Sequence, residues 1–370
     1  MLIGASGGTN RIMDTLNYGQ AAIIEYGIDL AFQQFADALI PHNEIRNALS
    51  ADVVETTTKE QRHRFGGSAR FTMREVDQEF SQGRLAKKVG AGQTMGLPLK
   101  TYAPESLQWT ERYFKFATVE EVNAQMNAQL LADVINDRRQ IALALFTPTN
   151  ATFFDANTDG TSLAIKRLAN GDGWELPLLP GTGEAPANGG SHTHYTASEA
   201  LDATALSSIQ ENVREHYQGG NLKLYINVAQ EATIRALSAS VFVPLADPRV
   251  TKSITVDTLS AGSLDLWSTY NRMIGVLVGG AEVWVKPWVP AGYVFCFNDG
   301  ATKPLFRRQD KVDPVDLVIV QTELPDNRRG KLTAWSVERT FGYGTVERTN
   351  GVCHQITGTG NGTTYTAPSL

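Results

Sequence analysis

TVEEVNAQMNAQLLADVINDRRQIALALF, residues 118–146, is the stretch on which the fold turns. Thr118 stands where an N-cap belongs and Glu121 follows three residues on, so each side chain can satisfy the other's orphan backbone donor. Val119, Val122, Met126, Leu130 and Val134 recur at helical spacing, and Leu131, Ile135, Ala142 and Leu145 widen them into one broad packed stripe. Glu120, Asn123, Asn127, Asp133 and Asp137 fall on the other side. Arg138 and Arg139 lie toward the C-terminal end, where cations suit the macrodipole, and Pro148 stops the helix. A helix over 119–146 is roughly 42 Å long. That is more than twice the mean of about 11–12 residues. A rod of this length is the backbone of a flat or elongated domain.

On its N-terminal side, residues 1–13 are small and Gly-rich and read as an extended arm. A helix is expected over about 15–40, with Ile24, Ile28, Phe32, Phe35 and Leu39 on one side and Pro41 ending it. Val53–Thr58 is strand-like. In 65–117, strand candidates Ala69–Val76 and Leu107–Phe116 flank a stretch holding Gly83, Gly90, Gly92, Gly96, Pro98 and Pro104. These strands carry Arg70, Arg74, Glu75, Glu111, Arg112 and Lys115. A long hairpin of that kind is marginal alone, so it is expected to lie on something else, such as another subunit.

On the C-terminal side, 150–198 is loop-rich. Ala203–Tyr217 reads as a helix with Leu206, Ile209 and Val213 on one face, ended by Gly219-Gly220. Leu222–Asn227 is a buried-type strand, followed by a helix near Gln230–Leu237. Strands are expected at Ile274–Val278, Glu282–Val285, Tyr293–Asn298 and Leu317–Gln321. Leu332–Glu338 and Gly344–Arg348 should form a last pair, with a Gly/Thr-rich tail after Gly358. The class is α+β, and no fixed-period repeat is present.

The 370 residues carry a net charge of −6, which argues against a dedicated nucleic-acid surface. Two cysteines, Cys296 and Cys353, are too few for a disulfide framework and fit a reducing compartment. No apolar run approaches the ~20 residues of a membrane span, and no secretory leader is visible. A soluble, cytosolic chain is expected.

The letters that suggest chemistry each lack a required neighbour. Gly4-Ala5-Ser6-Gly7-Gly8 spells a nucleophile elbow with no strand before it. Asp155-Ala-Asn157-Thr-Asp159-Gly160 opens like a calcium loop, but Lys166 stands where the closing carboxylate belongs. Gly90-Ala-Gly92-Gln-Thr-Met95 lacks the third glycine of a dinucleotide fingerprint. His192-Thr-His194 has a spacing seen in metal sites, yet no third ligand is near in sequence, and Ser191, Thr193 and Tyr195 suggest a hydrogen-bonded loop. Arg307-Arg308 and Arg328-Arg329 read as surface salt-bridge partners. No catalytic, cofactor-binding or metal-ligating residue is assigned, and an enzyme is not expected.

Several segments together carry a resemblance: VGAGQTMGLPLKTY (89–102), ALFTPTNATFFD (144–155), SHTHYTA (191–197), LYINVAQEATIRAL (224–237) and GGAEVWVKPWVPAGYVFCFNDGATKPL (279–305), closed by SVERTFGYGTVERTNGV (336–352). Their order resembles the major capsid proteins of tailed double-stranded DNA phages, the Hong Kong 97-type fold, in a subgroup found in phages of actinobacteria. The resemblance implies an N-terminal arm and helix (1–64), an extended β-hairpin loop (65–117), and a peripheral domain (118–202) with its spine helix. It further implies an axial domain (203–315), returning strands of the peripheral domain (316–360) and a flexible tail (361–370). It implies a shell of hexamers and pentamers enclosing genomic DNA without sequence-specific binding. The partners would be other copies, a portal, a separate scaffolding protein and a decoration protein, first in the host cytoplasm and then in the virion. Arg84, Lys87, Lys88, Gln93, Trp109, Arg112, Glu338 and Arg339 are the subunit-interface candidates. The family's type member cross-links lysine to asparagine with a glutamate assisting. Those positions fall here near Gly330 and Val337, so no cross-link is expected. The alternative on the same fold is an encapsulin-type shell enclosing a cargo enzyme.

Overall fold

The computed structural model describes residues 12–64, 93–103, 109–156, 160–173, 192–217, 219–245, 271–311, 316–326, 330–358 and 362–370. Residues 1–11 of the extended arm, the strand Ala69–Val76, the loop Gly90–Gly92, Asn157, Asp159 and Arg328-Arg329 lie outside the described residues, while Met13, at the end of the arm, is buried.

The described residues open with α1 (Thr15–Tyr18), α2 (Ile23–Tyr26) and α3 (Ile28–Ser50), then β1 (Val54–Thr57) and β2 (Gln61–Arg64). Next come β3 (Gln93–Gly96), β4 (Lys100–Tyr102), β5 (Trp109–Thr110), α4 (Glu111–Phe114) and α5 (Val119–Phe146). β6 (Ala151–Asp155), β7 (Thr161–Ile165), β8 (Tyr195–Ser198), α6 (Ala203–Arg214), β9 (Leu222–Ile226) and α7 (Glu231–Arg235) follow. The last strands are β10 (Phe242–Pro244), β11 (Arg272–Leu277), β12 (Glu282–Val285), β13 (Tyr293–Asn298), β14 (Leu305–Gln309), β15 (Val318–Asp326), β16 (Gly330–Thr345) and β17 (Val352–Ile356).

The spine helix α5 has the expected bounds, and its Thr118–Glu121 capping box forms in both directions. The N-terminal helix differs from expectation. It runs to Ser50 with Pro41 inside it, because the buried face carried by Phe35 and Leu39 continues past the proline to His42 and Arg46. Gly27, at φ +105°, takes the sharp turn between α2 and α3 that a side chain would strain.

Two sheets organise the body. One runs β1-β14-β16-β15, with β4 and β5 also on β16. The other has, among the described residues, seven strands in the order β10-β11-β12-β9-β13-β17-β8. At its centre β9 and β13 are covered on both faces, which is why they read as near-continuous apolar runs. Their alternate residues serve two cores. Tyr225, Phe295 and Phe297 face the end of the spine helix at Ile141, Leu145 and Phe146. Leu224, Ile226, Val294 and Cys296 face α6 through Leu206, Ile209 and Val213. A third core joins the other end of the spine, Val119, Val122, Met126 and Leu130, to Phe35, Leu39, Trp109, Phe114 and Val337. The spine helix is therefore shared between cores at its two ends.

Several other expectations are corrected. The expected final strand pair is one continuous strand, β16, followed by β17. β16 continues without a turn because β15 pairs with its first half and β14 with its last residues. Gly342 and Gly344 let the 96–98 segment cross β16 where a Cβ would strike Pro98 or Leu97. The 150–198 stretch, expected to be loop-rich, holds a hairpin, β6 with β7, in which Asp155 is buried on Arg308 at 2.6 Å. Of the expected strand Leu107–Phe116, the described residues hold the short β5 and then α4, capped by Thr110. β14 sits in one sheet with β16, while β8 and β17 join the seven-stranded sheet. The tail is docked: Tyr365 donates to the Phe146 carbonyl at 2.7 Å and packs against Tyr195. Among the described residues no helix is long and apolar enough to cross a membrane.

Candidate assembly surface

Residues 65–92 are bracketed by an antiparallel pair, β2 with β3, in register Gln61↔Gly96 to Arg64↔Gln93. The expected loop therefore springs from 64 and 93, and the residues that follow it are part of the body. Met95 and Leu97 are buried with Phe306 and Val346, which fixes this base on the first sheet.

The spine helix above that base has two unlike long sides. Leu131 and Ile135, expected in the packed stripe, are 44% and 55% exposed. One helical turn apart, they form an apolar pair facing outward. Asp133 and Asp137, expected in solvent, are buried instead. The reason is a set of arginines reaching the spine from other elements. Asp133 receives Arg46 at 2.7 Å, His42 at 3.0 Å and Arg339 at 3.3 Å. Asp137 accepts from Arg339 at 2.8 Å and from the Tyr343 hydroxyl at 2.9 Å. Burial alone would raise the Asp133 carboxyl, but the His42 hydrogen bond and the two guanidinium groups hold it well below the carboxylate range. Burial would lower Arg339, and Asp137 and Asp133 more than reverse that. The cation also stacks over Phe341, 3.8 Å from the ring centre. The spine is thus locked to α3 and β16 by charge, which leaves its apolar pair outward.

The interface candidates separate accordingly. Arg84, Lys87 and Lys88 lie outside the described residues. Arg112 is exposed on α4 and Glu338 is half-buried on β16. Gln93 accepts from Arg348 at 2.8 Å within the chain. Trp109 and Arg339 are corrected: each is 1% exposed, Trp109 in an aromatic cluster with Phe32, Phe35 and Phe114 and Arg339 in the ion-pair set. Neither can meet a neighbouring subunit from those positions. The surface basic pair Arg307-Arg308 is corrected too, since both residues are buried. Sequence reading missed Leu131 and Ile135 as surface residues because helical spacing gives a stripe but not its width. It also missed His216, which the fold brings beside His192 and His194 although about twenty residues separate them.

No protein-family model matches the sequence, and no curated protein matches it. Solved structures do. A structure of Mycobacterium phage Patience superposes at TM-score 0.62 with 20% identity, over 99% of this chain and 97% of that one. The capsid of a native GTA particle matches at TM-score 0.42 and 12% identity, over 84% and 90%. The holo-SrpI encapsulin complex of Synechococcus elongatus PCC 7942 matches at TM-score 0.42 and 10% identity, over 90% and 92%. The chain has the Hong Kong 97-type fold.

Proposed function

We propose that this chain is the major capsid protein of a tailed double-stranded DNA phage, assembling through hexamers and pentamers into an icosahedral head. The observation that carries the reading is the whole-length likeness of its fold to a phage structure. Two features support it. The paired strands β2 and β3 form a base from which residues 65–92 can reach a neighbouring subunit. The outward pair Leu131 and Ile135 offers apolar area on the rigid spine for a second copy to cover. Arg112 and Glu338 are the remaining polar contacts of this surface, with Arg84, Lys87 and Lys88 on the loop. The chain acts as a structural component and not as an enzyme. It works with a portal, a separate scaffolding protein and a decoration protein, in the host cytoplasm during assembly and then in the virion. With a net charge of −6, its contact with the enclosed DNA is incidental.

Negative-stain electron microscopy with mass photometry of the purified chain tests this. Closed shells, or rings of five or six 40.3 kDa chains at about 200–240 kDa, are expected. A chain that stays monomeric at high concentration, in crowding agent and when co-expressed with its neighbouring genes would overturn it.

A further inference from the structure

Three imidazoles meet at the rim of the seven-stranded sheet. His192 and His194 lie on the run into β8, and His216 lies just beyond the last turn of α6. Their Nε2 atoms form a near-equilateral triangle: 3.1 Å between His194 and His192, 3.2 Å between His194 and His216, and 3.4 Å between His216 and His192. The ring centres are farther apart, at 4.9, 5.1 and 5.3 Å, with planes only 11–28° from parallel. The rings therefore fan outward and aim their Nε2 atoms at a common point. His194 is fully buried, and its Nδ1 stands 2.8 Å from the Gly351 carbonyl. A carbonyl only accepts, so Nδ1 carries the proton and Nε2 offers a lone pair.

Such a triangle cannot satisfy itself by hydrogen bonds. Each Nε2 is either an N–H or a lone pair, and among three mutual neighbours at least two must be alike. Two lone pairs, or two hydrogens, then face each other at 3.1–3.4 Å, and the one carboxylate beside them, Glu215 at 3.3 Å from His192 Nε2, is half exposed. A cation shared by three lone pairs removes that conflict. The dimensions suit zinc: tetrahedral ligands at about 2.0–2.1 Å from the metal lie about 3.3–3.4 Å from one another. The point in the plane equidistant from the three nitrogens is about 1.9 Å from each, so an ion slightly above it has ordinary bond lengths. The Gly351 carbonyl supplies the outer hydrogen bond that orients a metal-bound histidine.

We propose that His192, His194 and His216 form a structural zinc site, with the fourth position taken by Glu215 or water. The Glu215 carboxylate stands 3.3 Å from His192 Nε2 and is half exposed, so a rotamer change can bring it to the metal. The ion ties the end of α6 to the lead into β8 and, through His194, to the turn between β16 and β17. It is a staple within one subunit, placed where the helix that covers the sheet would otherwise fray. The proposal does not depend on the capsid reading.

The test uses the untagged full chain, purified without chelator or nickel resin and analysed for metal by mass spectrometry. About one zinc per chain is expected, falling to background in His216→Ala and in His192→Ala. Stripping the metal with a strong chelator should lower the melting temperature, and zinc, but not magnesium, should restore it. Should the variants fail to fold, cobalt(II) added to the stripped parent chain gives the readout. Intense visible absorption supports a tetrahedral nitrogen site, and weak absorption overturns it. Stripped chain that neither binds zinc nor gains stability from it overturns the proposal, as do folded variants that retain the parent's zinc.

Discussion

The two sheets solve the same problem with different chemistry. The interior of the seven-stranded sheet is apolar on both faces of β9 and β13. Where β14 and β16 meet the spine helix and the β6–β7 hairpin, Arg308, Arg339, Asp133, Asp137 and Asp155 are nearly as buried, and charge does the joining. Apolar burial is tolerant of how neighbours fit, whereas a buried ion pair is costly unless its partners sit in one geometry. The contrast suggests a division of labour: a sheet that is stable through area, and a spine whose position on its sheet is specified.

If that division holds, removing one member of the charged set should do the most damage. Arg339→Ala strands Asp133 and Asp137 and should cost about 3–5 kcal/mol in denaturant unfolding of the protomer. A loss under about 1 kcal/mol would mean that the carboxylates find other partners and that charge does not position the spine. In the apolar sheet, Leu224→Ala removes a fully buried side chain from β9 and should cost about 2–5 kcal/mol, the range of large-to-small core changes.

Acid sharpens the same comparison. Burial depresses His354, on β17, to about 4, against a weaker upward pull from Asp202, while Thr196 and Ser198 hydrogen-bond its ring. The unfolded chain takes up a proton near pH 6.5 that the folded chain refuses until about pH 4. Its contribution is therefore complete above about pH 6.5 and is lost as pH falls toward about 4. Asp133, held below the carboxylate range, keeps its charge to lower pH. Hydrogen exchange across this window should open the β8–β17 edge before the spine. His354→Gln should flatten the dependence. Simultaneous opening of both regions would show that they unfold as one unit. The smallest effect is expected at Leu131→Ala, within about 0.5 kcal/mol for the isolated protomer, because the side chain is exposed. The same variant should assemble less completely, measured as shell yield by sedimentation.

These contrasts also explain what could be read in advance. The spine helix was legible to the residue because a capping box, a long apolar stripe and a proline all agreed. β9, β13 and α6 were legible too, since apolar burial leaves a continuous run in strands covered on both faces and a period in a helix covered on one. Charged burial leaves none. Asp133 and Asp137 look like solvent residues until Arg46 and Arg339, about 90 and 200 positions away, come to meet them. Pro41 was misread as a stop because the α3 segment beyond it is held by contacts that no local rule records. The histidine site was half visible: a pair at short spacing, whose third member only the packing of α6 supplies.

The parallel pairing of β1 with β14 has a consequence in time. Val54 meets Leu305, about 250 residues later in the chain. At about 5–20 residues per second, a ribosome needs roughly 12–50 s between making one and making the other. Throughout that interval β1 waits with a bare edge, and the base of the loop cannot be seated on a finished sheet. If the chain assembles as proposed, a nascent copy cannot present that finished sheet to a neighbour until most of it exists. In a crowded polysome, the order of synthesis would then itself delay polymerisation.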